Sequence, residues 1–159
     1  MDDIKNLYEL YSKDIYKYLL SLTMNPHKAE DIMQNTFLTA IGSLQTFKGH
    51  SSVKTWLMGI ARNEYYTYYR KNPVSVPMEQ VVDSHDPAAS HHEYIQLCYT
   101  EALTEIAKLP EPQRQIVILR LINEISFSEI AKIVEQSEVY CRVSFFRAKH
   151  KLSEVLKNE

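Results

Sequence analysis

Residues 126–157 read SFSEIAKIVEQSEVYCRVSFFRAKHKLSEVLK. A short amphipathic run and a longer basic one are joined here by only a few residues. Ser126 followed by Glu129 forms the S-x-x-E signature of a capped helix start, which opens a short helix over SFSEIAKIVEQ. Ser137 is placed to cap a second, longer helix. Short helix, tight turn and longer basic helix make the helix-turn-helix pattern, whose second helix enters the major groove of DNA. Such a turn favours Gly, yet none stands between Ile133 and Val139. A groove-reading helix needs side chains that reach base edges and cations that grip phosphates. Glu138, Tyr140, Arg142, Phe146, Arg147, Lys149 and Lys151 include both kinds. Val139, Val143, Ala148 and Leu152 are then expected to hold the helix to its own domain. The plainer alternative is a basic amphipathic helix with a solvated charged face.

Working outward, QRQIVILRL (113–121) reads as a helix behind PEP, and HHEYIQLCYTEALTEIAKL (91–109) as another that ends at Pro110. Residues 72–90, NPVSVPMEQVVDSHDPAAS, hold three prolines and lose all periodicity, which marks a linker. Before it lie three amphipathic stripes. Ile4, Leu7, Tyr8, Tyr11, Ile15, Tyr18, Leu19 and Leu22 carry the first. Asn25 followed by Pro26 reads as an N-cap with Pro at N1, and opens a helix burying Ala29, Ile32, Met33, Thr36, Phe37, Ala40, Ile41 and Leu44. After the loop KGHSS, whose serines can cap the next helix, Val53, Trp56, Leu57, Ile60, Ala61, Tyr65 and Tyr68 carry the third. The fold class expected is all-α: two small helical domains, 1–71 and 91–159, joined by a flexible linker over 72–90.

Net charge is −2, which argues against a generic nucleic-acid coat, but its distribution is uneven. Lys48, Lys54, Arg62, Arg70 and Lys71 face only Glu64 across 48–71, and five bases oppose two acids across 137–157. Between these islands, 72–107 holds six acids and no Lys or Arg. Two basic islands around an acidic connector suit two separate contacts with a polyanion. No apolar run approaches the roughly 20 residues of a membrane span, and the acidic, amphipathic start is not a signal peptide. The cytoplasm is the compartment expected. Cys98 and Cys141 are isolated and expected to be reduced thiols. His85, His91, His92 and Cys98 match no standard metal spacing, so no metal or cofactor is expected.

The segment ARNEYYTYYRKN (61–72) raises its own question, because four tyrosines cannot all face one core. Tyr65 and Tyr68 continue the stripe of Trp56 and Ile60, whereas Tyr66 and Tyr69 are displaced by about 100°. Outward rings beside Arg62, Arg70 and Lys71 are what melted or single-stranded nucleic acid uses for stacking and backbone tracking. Alternatively, those rings pack under the linker or against the other half.

Taken together, DIMQNTFL (31–38), SSVKTWLMGIARN (51–63), LPEPQRQIVILRLINEISFSEIAKI (109–133) and the later FRAKHKL resemble the extracytoplasmic-function (ECF) sigma factors of bacterial RNA polymerase, in the right order along nearly the whole chain. The resemblance implies a σ2 domain that docks on the β′ clamp helices of core RNA polymerase and opens the −10 element. It implies a σ4 domain that sits on the β flap and reads the −35 element of promoter DNA. An anti-sigma factor is a further partner that the family implies. Asp31, Gln34, Asn35 and Phe37 would face polymerase, although Asn35 stands where the family often has an acid. Phe47 would stack on a flipped −10 base and Asn63 would hydrogen-bond its edge, an amide offering donor and acceptor together. Ser52, Lys54, Arg62, Tyr66, Tyr69 and Arg70 complete the −10 set. Tyr140, Arg142, Phe146, Arg147 and Lys149 form the −35 set. Glu135 occupies a turn position where the family usually has Gly.

The rival reading is a free-standing helix-turn-helix regulator, which would bind operators without polymerase. An enzyme is not expected: there is no Gly-rich phosphate loop and no nucleophile–base arrangement. Whether the two halves pack together when free is not written in the sequence.

Overall fold

The computed structural model describes residues 2–73 and 101–157. Most of the linker, and the His85, His91, His92 and Cys98 group, lie outside the described residues. The first half is α1 (Asp2–Thr23), α2 (Pro26–Ser43), a 3-10 turn (Leu44–Thr46) and α3 (Val53–Lys71). The second is α4, described over 101–107, then α5 (Gln113–Leu121), α6 (Phe127–Val134) and α7 (Glu138–Lys157). Among the described residues there is no strand, and no helix is long and apolar enough to cross a membrane.

Local chemistry sets these boundaries. The Asn25 side chain accepts from the Lys28 N–H at 3.1 Å with Pro26 at the head of α2, as the sequence reads. Ser52 Oγ caps α3 through the Thr55 N–H (3.1 Å) and Ser137 Oγ caps α7 through the Tyr140 N–H (3.0 Å). Ser126 accepts from the Glu129 N–H at 3.3 Å, but Glu129 does not reach back to complete a reciprocal box; its Oε1 pairs with Lys132 instead.

The turn between α6 and α7 solves the missing-glycine problem by force. Glu135 adopts φ 58°, a left-handed conformation, and the next N–H, Gln136, closes on Ala131 O at 3.2 Å. A side chain costs energy there that Gly does not incur. Glu135→Gly is therefore expected to stabilise the chain by about 0.5–1 kcal/mol, net of the extra entropy Gly loses on folding. Thermal unfolding should show this as a rise of a few degrees; a fall would contradict it.

Ile15, Tyr18, Ile32, Leu57 and Met58 pack the centre of the first half, and Ile116, Ile118, Leu119, Phe127 and Ile130 that of the second. One docking residue and two expected stripes need correction. Phe37 is buried, its ring edge-on to Tyr8, so it is a core residue rather than part of a docking surface. Ile41, read as buried, is exposed. In α7 the inner face runs through Cys141, Phe145, Ala148 and Leu152, an i, i+4, i+7, i+11 series, while Val139 and Val143 are 70% and 42% exposed. Two apolar stripes compete on that helix, and Phe145 against Phe127 (5.4 Å between ring centres) fixes which one turns inward.

The buried residues of both halves form one continuous cluster. Helix α1 packs on α5 and α3 packs on α6, so the two units are closed against each other.

Candidate nucleic-acid interface

Polar contacts hold the halves together, and they centre on Gln115. This side chain is fully buried on the inner face of α5. Its Oε1 accepts from Arg62 Nε (2.8 Å) and from the Tyr18 hydroxyl (3.3 Å), and its Nε2 donates to the Tyr66 hydroxyl at 2.6 Å. Burial pushes the Tyr18 phenol well above its ordinary 10.0, with Arg62 opposing, so it remains a protonated donor. Beside it, Arg114 donates to the Tyr65 hydroxyl (2.9 Å) and pairs with Glu111 (2.6 Å). A second cluster lies at the α5–α6 loop. Asn123 Nδ2 donates to Asp14 O at 2.9 Å, and Lys54 Nζ donates to Asn123 O at 3.1 Å while lying 3.6 Å from the Asp14 carboxylate.

Three residues of the expected −10 set, Lys54, Arg62 and Tyr66, are thus engaged by the second half. The outward-ring expectation for Tyr66 gives way to its alternative, packing against the other half. Tyr66 is partly buried beneath Arg62 (5.1 Å to the ring centre) and bonded across the interface. Tyr69 packs on Tyr65 at 4.8 Å, and burial, with Tyr65 and Tyr68 nearby, pushes its phenol up to about 12. The remaining −10 residues stay open. Ser52, Asn63 and Arg70 are exposed, and Phe47 is partly buried with its ring 4.9 Å from that of Trp56 at an angle of 38°. That tilted pair leaves one aromatic edge of the loop at the surface, and Trp56 is its unanticipated member.

On α2, Asp31, Gln34 and Asn35 are exposed beside Leu38, and the first three line a depression with Glu64 and Lys71 of α3. The expected −35 set is gathered on one helix. Tyr140, Arg142, Phe146, Arg147 and Lys149 are all exposed along α7. Arg142 pairs with Glu138 (2.8 Å) and lies over the Phe127 ring at 5.0 Å. Gln115, Arg114 and Asn123 are the residues that sequence reasoning missed. The available signal was a glutamine in phase with the apolar positions Ile118, Leu119 and Ile122 of QRQIVILRLI.

A capped helix-turn-helix with an exposed basic second helix, tied to a second helical unit that carries further cations, has the make-up of a two-part DNA-binding protein. Comparison with known proteins narrows the class. Residues 7–73 match the family Sigma-70 region 2, and residues 99–152 match Sigma-70, region 4. The chain is 32% identical over 151 residues to the ECF RNA polymerase sigma factor SigM of Bacillus subtilis, covering 94% of this chain and 92% of that protein. It is 29% identical over 157 residues to the RNA polymerase sigma factor YlaC of the same organism, covering 95% and 90%. The fold matches the sigma factor RpoE of Bartonella quintana, solved in complex with the anti-sigma factor NepR, with a TM-score of 0.80, 25% identity, and 99% and 98% of the two chains covered. The chain belongs to the ECF sigma factors of the sigma-70 family and is an RNA polymerase sigma factor. The free-standing regulator is not favoured. Sigma factors are non-catalytic initiation factors that bind core RNA polymerase and promoter DNA.

Proposed function

We propose that this sigma factor divides its work between residues 1–71, which dock on the β′ clamp helices and open the −10 element, and residues 91–159, which read the −35 element from the β flap. Asp31, Gln34 and Asn35 form the polar part of the docking surface. Phe47 and Asn63 take a flipped −10 base, with Ser52, Lys54, Arg62, Tyr66, Tyr69 and Arg70 along its backbone. Tyr140, Arg142, Phe146, Arg147 and Lys149 contact the −35 duplex. The observation that carries this reading is the exposed basic face of α7 behind a capped helix-turn-helix. The chain carries out no bond chemistry of its own, and it works where polymerase and chromosome meet, in the cytoplasm.

Lys54, Arg62 and Tyr66 cannot serve DNA while α5 and the α5–α6 loop hold them. Promoter reading therefore begins with separation of the halves, and core polymerase, offering two docking sites, drives it. RpoE was solved with an anti-sigma factor; a partner of that kind would act on this chain by favouring the closed arrangement. The test is transcription in vitro from fragmented genomic DNA, with and without this protein beside core polymerase, and sequencing of the 5′ ends. New starts sharing two upstream elements at fixed spacing are expected. Duplex binding by the protein alone, with no new starts, would sink the proposal.

A further inference from the structure

The outer face of α7 has an order that its basic character alone does not explain. At about 100° per residue, Val139, Val143, Phe146 and His150 point within roughly 50° of directly away from the buried series Cys141, Phe145, Ala148 and Leu152. Arg142 and Lys149 lie along one flank of this strip, and Arg147 and Lys151 along the other. Along that outer strip Val139, Val143 and Phe146 are apolar, His150 and Glu154 continue it toward the far end of the helix, and cations stand on both sides. Val139 is 70% exposed and Val143 42%. Phe146 leans back on its own domain, its ring 5.4 Å from Phe145 and 6.2 Å from Phe127. Of the polar candidates at the helix head, Glu138 and Arg142 are paired with each other at 2.8 Å, and Tyr140 stands about 70° to one side of the strip.

A helix seated in the major groove turns the side opposite its core toward the bases and its flanks toward the two phosphate ridges. The cations are where phosphates require them. The valines are where base edges lie, and they offer no hydrogen bond. Only one base-edge group in that groove rewards an apolar side chain, the C5 methyl of thymine. We infer that Val139 and Val143 are specificity determinants that read thymine methyl groups in the −35 element. This rests on the −35 role proposed above for α7. Four residues apart on a helix, the two side chains are separated by about 6 Å along its axis, so the thymines lie within about two base-pair steps at 3.4 Å each.

The test uses full-length protein with core polymerase and a promoter found by 5′-end mapping. Duplexes are synthesised with deoxyuridine in place of thymine at single positions of the −35 element, which removes the methyl and leaves the hydrogen-bonding edge. Binding is expected to weaken about fourfold for each facing methyl, the transfer value of one buried carbon. Val139→Ala and Val143→Ala are each expected to erase this difference at one position and keep it at the other. Both side chains are exposed, so neither change should disturb folding. Equal binding of thymine and deoxyuridine duplexes, or full discrimination retained in both valine variants, would overturn the inference. In either of those cases Arg147→Ala and Lys151→Ala tell what failed. If they weaken binding and shrink the −35 footprint, α7 sits in the groove and reads it by polar contacts. If they change neither, the −35 role of α7 has failed as well.

Discussion

Asn63→Ala and Phe47→Ala, each made in the full-length chain, are expected to lower promoter-directed initiation about ten- to a hundredfold while core polymerase still binds. Asn63 is exposed on α3, and its amide would meet a base edge with a donor and an acceptor. Phe47 is partly buried with the Trp56 ring 4.9 Å away, and it would offer its ring to a base. Base stacking on an aromatic ring is worth about 1–3 kcal/mol by alanine substitution, and each 1.36 kcal/mol is tenfold in rate. The measurement is run-off transcription together with permanganate reactivity of −10 thymines. Initiation unchanged in Asn63→Ala would remove that residue from the −10 site.

The second large effect concerns the closed arrangement. Gln115→Ala is expected to shift the chain toward separated halves by about a hundredfold. All three of its side-chain hydrogen bonds cross to the first half, and one involves a guanidinium. Neutral bonds contribute about 0.5–1.5 kcal/mol each and one to a charged group about 1.5–3, so the lower bound for the three together is about 2.5 kcal/mol, close to a hundredfold. Because those partners lie outside its own domain, the change weakens the closed form and spares the helix-turn-helix. Small-angle scattering should report a larger radius of gyration. Apparent affinity for core polymerase should rise, since less binding energy is spent on opening. Unchanged scattering and affinity would mean that packing of α1 on α5 and α3 on α6 suffices without the polar hub.

Much of this was legible in the chain. Asn25–Pro26, Ser126 and Ser137 mark helix starts by chemistry local to a few residues, and the structure places caps at each. The exposed −35 set follows from the same local reading, because every member lies on one helix. What could not be read are choices between partners distant in the chain. Periodicity says that Tyr66 or Gln115 lies near an apolar face; it does not say that they meet each other, 49 residues apart. Nor does it decide between two apolar stripes on opposite faces of α7, one through Val139 and Val143 and the other through Cys141 and Phe145. The rotation was set by Phe127, on another helix. Phe37 set two readings against each other: periodicity placed it in the buried stripe of α2, where it lies against Tyr8, and the DIMQNTFL resemblance placed it on a docking surface.

The make-up of the interface between the halves has a consequence for how salt acts on this protein. Among the described residues its hydrogen bonds all end on neutral acceptors, four of them from Lys or Arg donors, and the ion pair nearest them, Lys54 with Asp14, lies within the first half itself. Contacts between cations and phosphates weaken steeply as ionic strength rises, because binding releases condensed counterions. A cation bonded to a neutral acceptor releases no condensed counterions from its partner, and apolar burial is not screened. A salt gradient therefore separates the two associations that compete for Arg62 and Lys54. Raising it strips the protein from DNA while leaving the halves joined, so the chain released from a promoter returns to its closed form.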